Sequence, residues 1–389
     1  MKTPIVADTI FHNGRITTLD PGHPEAANLA IKDGRIIGVD DAEEYQQEPN
    51  TKVIDLKGRR VIPGLNDSHL HVIRGGLNYN MELRWDGVPS LADALRMLKE
   101  QAQRTPAGQW VRVVGGWTEF QFAERRMPTL EEINAAAPTT PVFILHLYCR
   151  ALLNQAALRA CGYTKDTPNP PGGEIQHDHA GNPTGLLIAR PNATILYATL
   201  AKGPKLPPEH QLNSTRHFMR ELNRLGLTSI IDAGGGFQNY PEDYAVIEDL
   251  HRRGEMTVRI AYNLFTQKPK QEKEDFARWI KMTGPGKGDD FFRCNGGGEI
   301  TVSLGRKRCG STRKAAVGFP ARAEKKARWL WGNWPISWRS RMIIFPCPKI
   351  KSKELNPYLP WWTAGSFMQP MNSLRRRPRP CPCCPNGRP

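Results

Sequence analysis

His69 and His71 stand two residues apart in the stretch Pro63-Gly64-Leu65-Asn66-Asp67-Ser68-His69-Leu70-His71. Along a strand, alternate side chains share a face, so the two imidazoles project together with Asp67 on the same side. Two imidazoles at that spacing can bind one metal ion, and a neighbouring carboxylate can ligate or orient. Asp67, His69 and His71 are therefore the candidate metal ligands. A His-x-His by itself is a common coincidence; its weight comes from its surroundings. Val61-Ile62 supplies a buried strand ahead of it, and Gly75-Gly76 reads as the opening of a loop behind it.

Further along, Trp117, His146 and Glu174 are candidates to line a substrate pocket. His146 lies in the apolar run 141–148 and could equally be a satisfied core residue. Trp117 sits after Gly115-Gly116 and needs no role beyond burial. Glu174 follows Gly172-Gly173, which also reads as an ordinary surface turn. His177 and His179 flank Asp178 in a polar loop, where a solvated hairpin tip is the simpler reading. Asp232 ends a strand before Gly234-Gly235-Gly236, a position suited to an active site or merely to a turn. Residues 284–288 are rich in glycine, but no Lys-Ser/Thr opens a helix there, so a phosphate loop is excluded.

The elements that must position these residues change character at residue 63. Before it, short apolar runs alternate with Asn13-Gly14, Asp33-Gly34 and Gly58. Asn-Gly and Asp-Gly suit two-residue hairpin turns, so the spacing predicts hairpins there, with a third strand pair turning at Gly58. After residue 63, buried-strand candidates at 110–114, 141–148, 227–232 and 257–265 alternate with helical spacing. The helices are predicted over 90–104, 129–137, 150–161, 209–225 and 241–253. Thr129-Leu130-Glu131-Glu132 places acids in a helix's first turn. Alternating strands and helices point to a parallel sheet, either doubly wound or a (β/α) barrel.

Taken together, these pieces resemble the opening of the metal-dependent amidohydrolase superfamily. That family feeds a small β-sandwich into Pro-Gly-x-x-Asp-x-His-x-His on the first barrel strand. Asn13-Gly14-Arg15-Ile16, Asp33-Gly34-Arg35-Ile36, Val53-Ile54-Asp55-Leu56 and Val61-Ile62-Pro63-Gly64 follow its order. Gly116-Trp117, Pro128-Thr129, Gly172-Gly173-Glu174-Ile175, Pro183-Thr184-Gly185 and Gly226-Leu227-Thr228-Ser229 narrow it to the amidohydrolase family 3 branch. The resemblance covers roughly residues 5–300. It implies a distorted (β/α) barrel with a sandwich completed by C-terminal strands. It also implies a divalent metal, zinc being the expected one, that activates water against the carbonyl of an amide-type, non-peptide C–N bond. His69 and His71 would be the first two ligands.

The chain departs from that pattern late. The family uses further histidines and an aspartate on later strands, yet the last histidine here is His251. Arg150 stands where many members have a histidine, and Cys294-Asn295-Gly296 where some use a lysine. Beyond Ile300 the only acids are Glu324 and Glu354. Residues 301–389 hold 19 of the 54 lysines and arginines and six of the ten tryptophans, without helical or strand periodicity. That puts all the excess of the +16 formal charge in this segment. The segment reads as a basic tail without recognisable fold, out of frame with what precedes it. The organisation expected is thus a sandwich segment over 1–62, an incomplete barrel over 63–300 and the tail over 301–389. Such a chain is expected to fold poorly, with open sheet edges.

Two functions stay open at this point: a metal-dependent C–N hydrolase acting on a small molecule, or a non-catalytic regulatory protein on that scaffold, influencing production of extracellular enzymes. No DNA-reading motif appears in the first 300 residues, so specific nucleic-acid binding is not expected. Neither a signal peptide nor an apolar run of about 20 residues is present, so a cytoplasmic location without membrane contact is expected.

Overall fold

A computed structural model describes residues 6–41, 45, 49–190, 193–234, 238–266, 271–298 and 342–345. Of the basic tail expected over 301–389, only residues 342–345 are among the described residues. Two compact units are present. One combines residues up to Tyr79 with those from Pro207; the other comprises Asn80–Leu206. The stretch 63–300 therefore contributes to both.

The first unit opens with strands Thr9–His12 (β1), Arg15–Thr17 (β2), Glu25–Ala26 (β3), Leu29–Lys32 (β4), Arg35–Val39 (β5), Lys52–Asp55 (β6) and Arg60–Pro63 (β7). Asp33-Gly34 turns the β4–β5 hairpin as expected, with φ of 48° and 68°. The other two expected hairpins do not form. β1 pairs with β4 and in parallel with β6, whereas β2 pairs with β3 and in parallel with β7. Asn13 and Lys57-Gly58 do take positive φ, but to step the chain from one sheet to the other. The two corners lie side by side: Gly58 N–H donates to the Asn13 carbonyl at 2.7 Å, and Asn13 Nδ2 to Asp55 at 2.9 Å. A left-handed turn accepts either course, and the choice went to the sandwich because Ile16, Leu29, Leu56 and Val61 bury together between the sheets.

Next come Leu65–Leu70 (β8) and helix Val72–Asn78 (α1). Gly75-Gly76 opens no loop; both lie within α1. A Cβ at Gly75 would stand 2.7 Å from the Phe218 ring, so the glycines let a later helix pack closely. The chain then builds the second unit from Leu91–Arg104 (α2), Val111–Val114 (β9), Leu130–Ala136 (α3), Val142–His146 (β10) and Arg150–Leu153 (β11). It continues through Gln155–Cys161 (α4), Gly173–His177 (β12), Pro183–Ala189 (β13) and Thr194–Leu200 (α5). Pro208–Arg224 (α6), Leu227–Asp232 (β14), Ala245–Arg252 (α7), Arg259–Leu264 (β15), Glu272–Met282 (α8) and Phe292–Gly297 (β16) return to the first unit. Met342–Phe345 (β17) closes the series.

In the first unit β8, β14, β15 and β16 make a sheet that is parallel throughout, packed by α1, α6 and α7 over Phe218, Met219, Ile230, Ile260 and Phe292. In the second, the order is β12-β13-β11-β10-β9, and only β9 and β10 run parallel. A closed barrel is not seen among the described residues. The helix expected over 150–161 is in fact β11 followed by the shorter α4. Apolar Ala151-Leu152-Leu153 pairs antiparallel with β10 instead of turning. Asn154 is fully buried at this junction. Its Oδ1 accepts from Val142 N–H and Ala157 N–H, each at 2.9 Å. Its Nδ2 donates to the carbonyls of Ala137 (2.6 Å) and Thr140 (2.9 Å). Thr129 and Glu132 form the capping box that starts α3. The aperiodic C-terminal segment gave no strand by sequence, yet β17 pairs antiparallel with β7 and extends the sandwich. Backbone pairing with an open edge needs no apolar period, which is why the pattern did not reveal it.

Candidate functional site

The first unit carries the imidazole pair. β8 is the edge of the parallel sheet, and it ends at Leu70; His71 then caps α1 with φ −98° and ψ 69°. The strand alternation that would have aligned residues 67, 69 and 71 is therefore broken at the last of them. Asp67 turns back on its own backbone, its Oδ1 accepting His69 N–H at 2.9 Å. The His69 and His71 rings nonetheless meet, their centroids 5.6 Å apart and their planes at 81°. Ligation of one ion by two imidazoles, with metal–nitrogen distances near 2 Å, places ring centres roughly 5 Å apart, so the pair fits two positions of a metal site. A full site needs more. Among the described residues no group of three or more His, Cys, Asp or Glu side chains converges closely enough to hold a metal ion. Asp67 is accordingly not seen as the third ligand.

Asp232, which the sequence left between an active-site position and a simple turn, is the centre of this region. It lies opposite Leu70 at the C-terminal end of β14 and is fully buried. Its carboxylate accepts Ile73 N–H at 3.0 Å and Gly234 N–H at 2.8 Å. His71 provides no side-chain cap for α1, so Asp232 does so from the neighbouring strand. Burial raises its pKa, and the Ile73 and Gly234 amides and nearby His71 offset that only in part. Tyr244 is close by, its own pKa pushed up by burial and then by Asp232. The C-terminal ends of parallel strands are where such folds place their sites.

The second unit carries the expected pocket residues. Trp117 and His146 come together, with ring centroids 5.4 Å apart. Trp117 Nε1 donates to the Leu145 carbonyl at 3.0 Å, which fixes the indole. His146 is 1% exposed, and its Nε2 lies 2.6 Å from Glu119 Oε2. The Nδ1 of that ring has no hydrogen-bond partner among the described residues. Burial pushes the Glu119 pKa up, but its own backbone amide, His146 and Arg150 outweigh this and hold it below the usual value. Sequence reading missed Glu119, because nothing local marks a carboxylate that reaches a histidine 27 residues away. Glu174 is not part of this group. It shares the sheet face through the cross-strand row His146, Arg150, Ile188, Glu174, which puts it roughly 14 Å from His146 at three strand spacings. His177 ends β12, and Asp178 N–H donates to the Asn182 carbonyl, so a hairpin tip is what forms there.

The turn after His146 is unusual. Leu147 and Tyr148 have φ of 46° and 58°, and Cys149 N–H closes the turn on the His146 carbonyl at 3.0 Å. Bulky residues rarely take this conformation, which costs about 1 kcal/mol or more each.

Comparison with known proteins gives a consistent result. A profile of the amidohydrolase family, Amidohydro_3, matches residues 52–325, which carries it beyond Ile300. Protein LONG AFTER FAR-RED 3 of Arabidopsis thaliana is 35% identical over 187 residues, 47% of this chain and 32% of that protein. The N-substituted formamide deformylase of Arthrobacter pascens is 27% identical over 230 residues, 58% of this chain and 42% of that enzyme. Exoenzymes regulatory protein AepA of Pectobacterium carotovorum subsp. carotovorum is 24% identical over 278 residues, 70% of this chain and 58% of that protein. The chain thus spans less than two thirds of each of these relatives. Among the described residues no helix is long and apolar enough to cross a membrane.

Proposed function

Since the chain belongs to the amidohydrolase family, we propose that it is a metal-dependent hydrolase of non-peptide C–N bonds in small amides. The observation that carries this reading is the His69–His71 ring pair at the C-terminal end of β8, beside Asp232 at the same end of β14. His69 and His71 would hold the ion. A divalent cation there, zinc being the first choice, supplies Lewis acidity towards a carbonyl oxygen and towards water. Asp232 holds the turn that carries His71, and burial around it keeps water from competing for the Ile73 and Gly234 amides. The relative that removes formyl groups from N-substituted formamides supports an amide of that size as substrate.

The test uses the full 389-residue chain with N-benzylformamide, following amine release with zinc, manganese or no added metal. Metal-dependent release that EDTA abolishes, and that His69→Ala and His71→Ala each lower at least a hundredfold, is the expected result. A chain that retains no divalent metal on dialysis and releases no amine with any of them refutes the reading.

Two further points belong to it. The family profile runs on to residue 325, yet beyond Ile300 the chain holds no histidine and only Glu324 and Glu354 as acids, which supports a change of reading frame within the C-terminal segment. Resequencing the codons for residues 295–312 tests this: a single-base insertion or deletion should restore histidines and an aspartate downstream. The similarity to AepA, which covers 70% of this chain, favours the second reading of a regulatory role without catalysis. A cellular phenotype that survives His69→Ala with His71→Ala would establish it.

A further inference from the structure

The second unit holds a cluster of ionisable groups to which no role has yet been given. His146 and Arg150 are directly opposite each other where β10 meets β11, the last pair before the turn at Leu147 and Tyr148. Facing residues in such a ladder have Cβ atoms about 5 Å apart on one face of the sheet. Ile188 and then Glu174 continue the same row beyond Arg150. Glu119 reaches the ring from the short helical turn at 119–121, its Oε2 2.6 Å from His146 Nε2. Arg150 lies within electrostatic reach of that carboxylate but forms no ion pair with it.

Two groups in this cluster lack the partners their chemistry calls for. His146 is 1% exposed, and with Nε2 taken by Glu119 its Nδ1 has no hydrogen-bond partner among the described residues. The guanidinium of half-buried Arg150, a planar fork of N–H donors, meets no acceptor among the described residues either. Buried polar groups are ordinarily satisfied, so an orphaned nitrogen beside an unclaimed fork points to a guest that serves both. An ionised carboxylate only accepts, so Glu119 takes the Nε2 proton and leaves Nδ1 as the basic nitrogen. A carboxylic acid then fits both groups: its O–H donates to Nδ1 while its second oxygen accepts from Arg150. Passage of that proton to Nδ1 leaves a carboxylate between imidazolium and guanidinium with the same contacts. Glu119 and Arg150 balance in charge, so the acid enters together with its proton. Half-buried Ile188 beside Arg150 offers an apolar bed for the body of the acid, and Glu174 at the end of the row disfavours a second negative charge.

We propose that His146 and Arg150, with Glu119 behind the ring, form a binding site for a small apolar monocarboxylic acid in the second unit. The site holds whether or not the chain hydrolyses amides. Glu119 does not touch the ligand; it fixes the ring so that Nδ1 meets the acid.

Calorimetry on the full 389-residue chain compares three probes. Benzoate carries charge and can share a proton; nitrobenzene has its shape with neither; benzenesulfonate has the charge without the basicity. Benzoate should bind on the order of tenfold tighter than either, the worth of one charge-assisted hydrogen bond. Its addition should move the 15N resonance of His146 Nδ1, assigned through His146→Gln, and leave that of Nε2 in place. Arg150→Gln should reduce benzoate binding to the level of nitrobenzene; if that variant does not fold, the Nδ1 resonance of the unaltered chain decides. Benzoate binding should persist in His69→Ala, and its loss there would locate the carboxylate at the histidine pair of the first unit and overturn the proposal. Equal affinity for benzoate and benzenesulfonate, an unmoved Nδ1 resonance, or benzoate binding that survives Arg150→Gln overturns it as well.

Discussion

Replacing Asn154 by alanine removes four hydrogen bonds at one buried point. The amide joins β10, α3 and α4: it accepts from Val142 and Ala157 and donates to Ala137 and Thr140. Val142, Ala157 and Ala137 are all fully buried, so their polar groups cannot turn to water, whereas Thr140 is only half-buried and its carbonyl rehydrates. Three orphaned groups at about 1–1.5 kcal/mol each give a destabilisation of about 4 kcal/mol. That is a large part of the 5–15 kcal/mol that holds a typical domain. Urea unfolding followed through the tryptophan fluorescence of the second unit should show it. Hydrogen exchange should speed up at the Val142 and Ala157 amides in particular. Asn154→Asp keeps both acceptor bonds but sets a carboxylate oxygen against two carbonyls, so it should be destabilised at neutral pH and recover in acid as the carboxyl gains a proton to donate. A loss below 1 kcal/mol for the alanine variant, or an aspartate variant indifferent to pH, would refute the reasoning.

Other consequences are open to simpler tests. Exchanging Leu147-Tyr148 for Asn-Gly should raise stability by about 1 kcal/mol or more, since those residues accept the positive φ that the turn imposes; no rise in midpoint would mean that the turn is unstrained. Arg126 holds the Glu132 carboxylate by a two-pronged ion pair, and its pKa falls from 4.5 to about 2. A depressed carboxylate stabilises fully above pH 4.5 and loses that contribution as pH falls towards 2, so Glu132→Gln should flatten the acid limb of the stability curve. Because the side chain is 30% exposed, screening limits the difference to about 1 kcal/mol. Glu119→Gln should cost about 1–3 kcal/mol by weakening the charge-assisted bond to buried His146, seen as a lower unfolding midpoint.

Much of the architecture was legible because local chemistry and tertiary context agree there. The cap at Thr129 with Glu132, the turn at Asp33-Gly34 and strand 227–232 all follow from residue types at fixed offsets. The proximity of His69 and His71 was legible from their two-residue spacing, although only His69 lies on β8 and His71 opens α1. Illegible were partners distant in sequence. Asp232 reaches Ile73 across 159 positions, and Asn295 reaches Asn263 across 32; no periodicity signals either.

Alternation and turn chemistry by themselves located strands such as 227–232 and helices such as 209–225, and singled out His69 and His71 as candidates for metal chemistry. Which strands pair was left to tertiary structure. Asn13 and Lys57-Gly58 have the backbone of hairpin turns but carry the chain between sheets, because burying Ile16, Leu56 and Val61 together outweighs a local ladder. Likewise Gly75-Gly76 reads as a loop, and became helix because only there could α6 approach within contact of α1. The setting of Asp232 was decided the same way: its buried carboxylate settles where the Ile73 amide at the start of α1 and the Gly234 amide after β14 converge, and that convergence exists only once the sheet has formed.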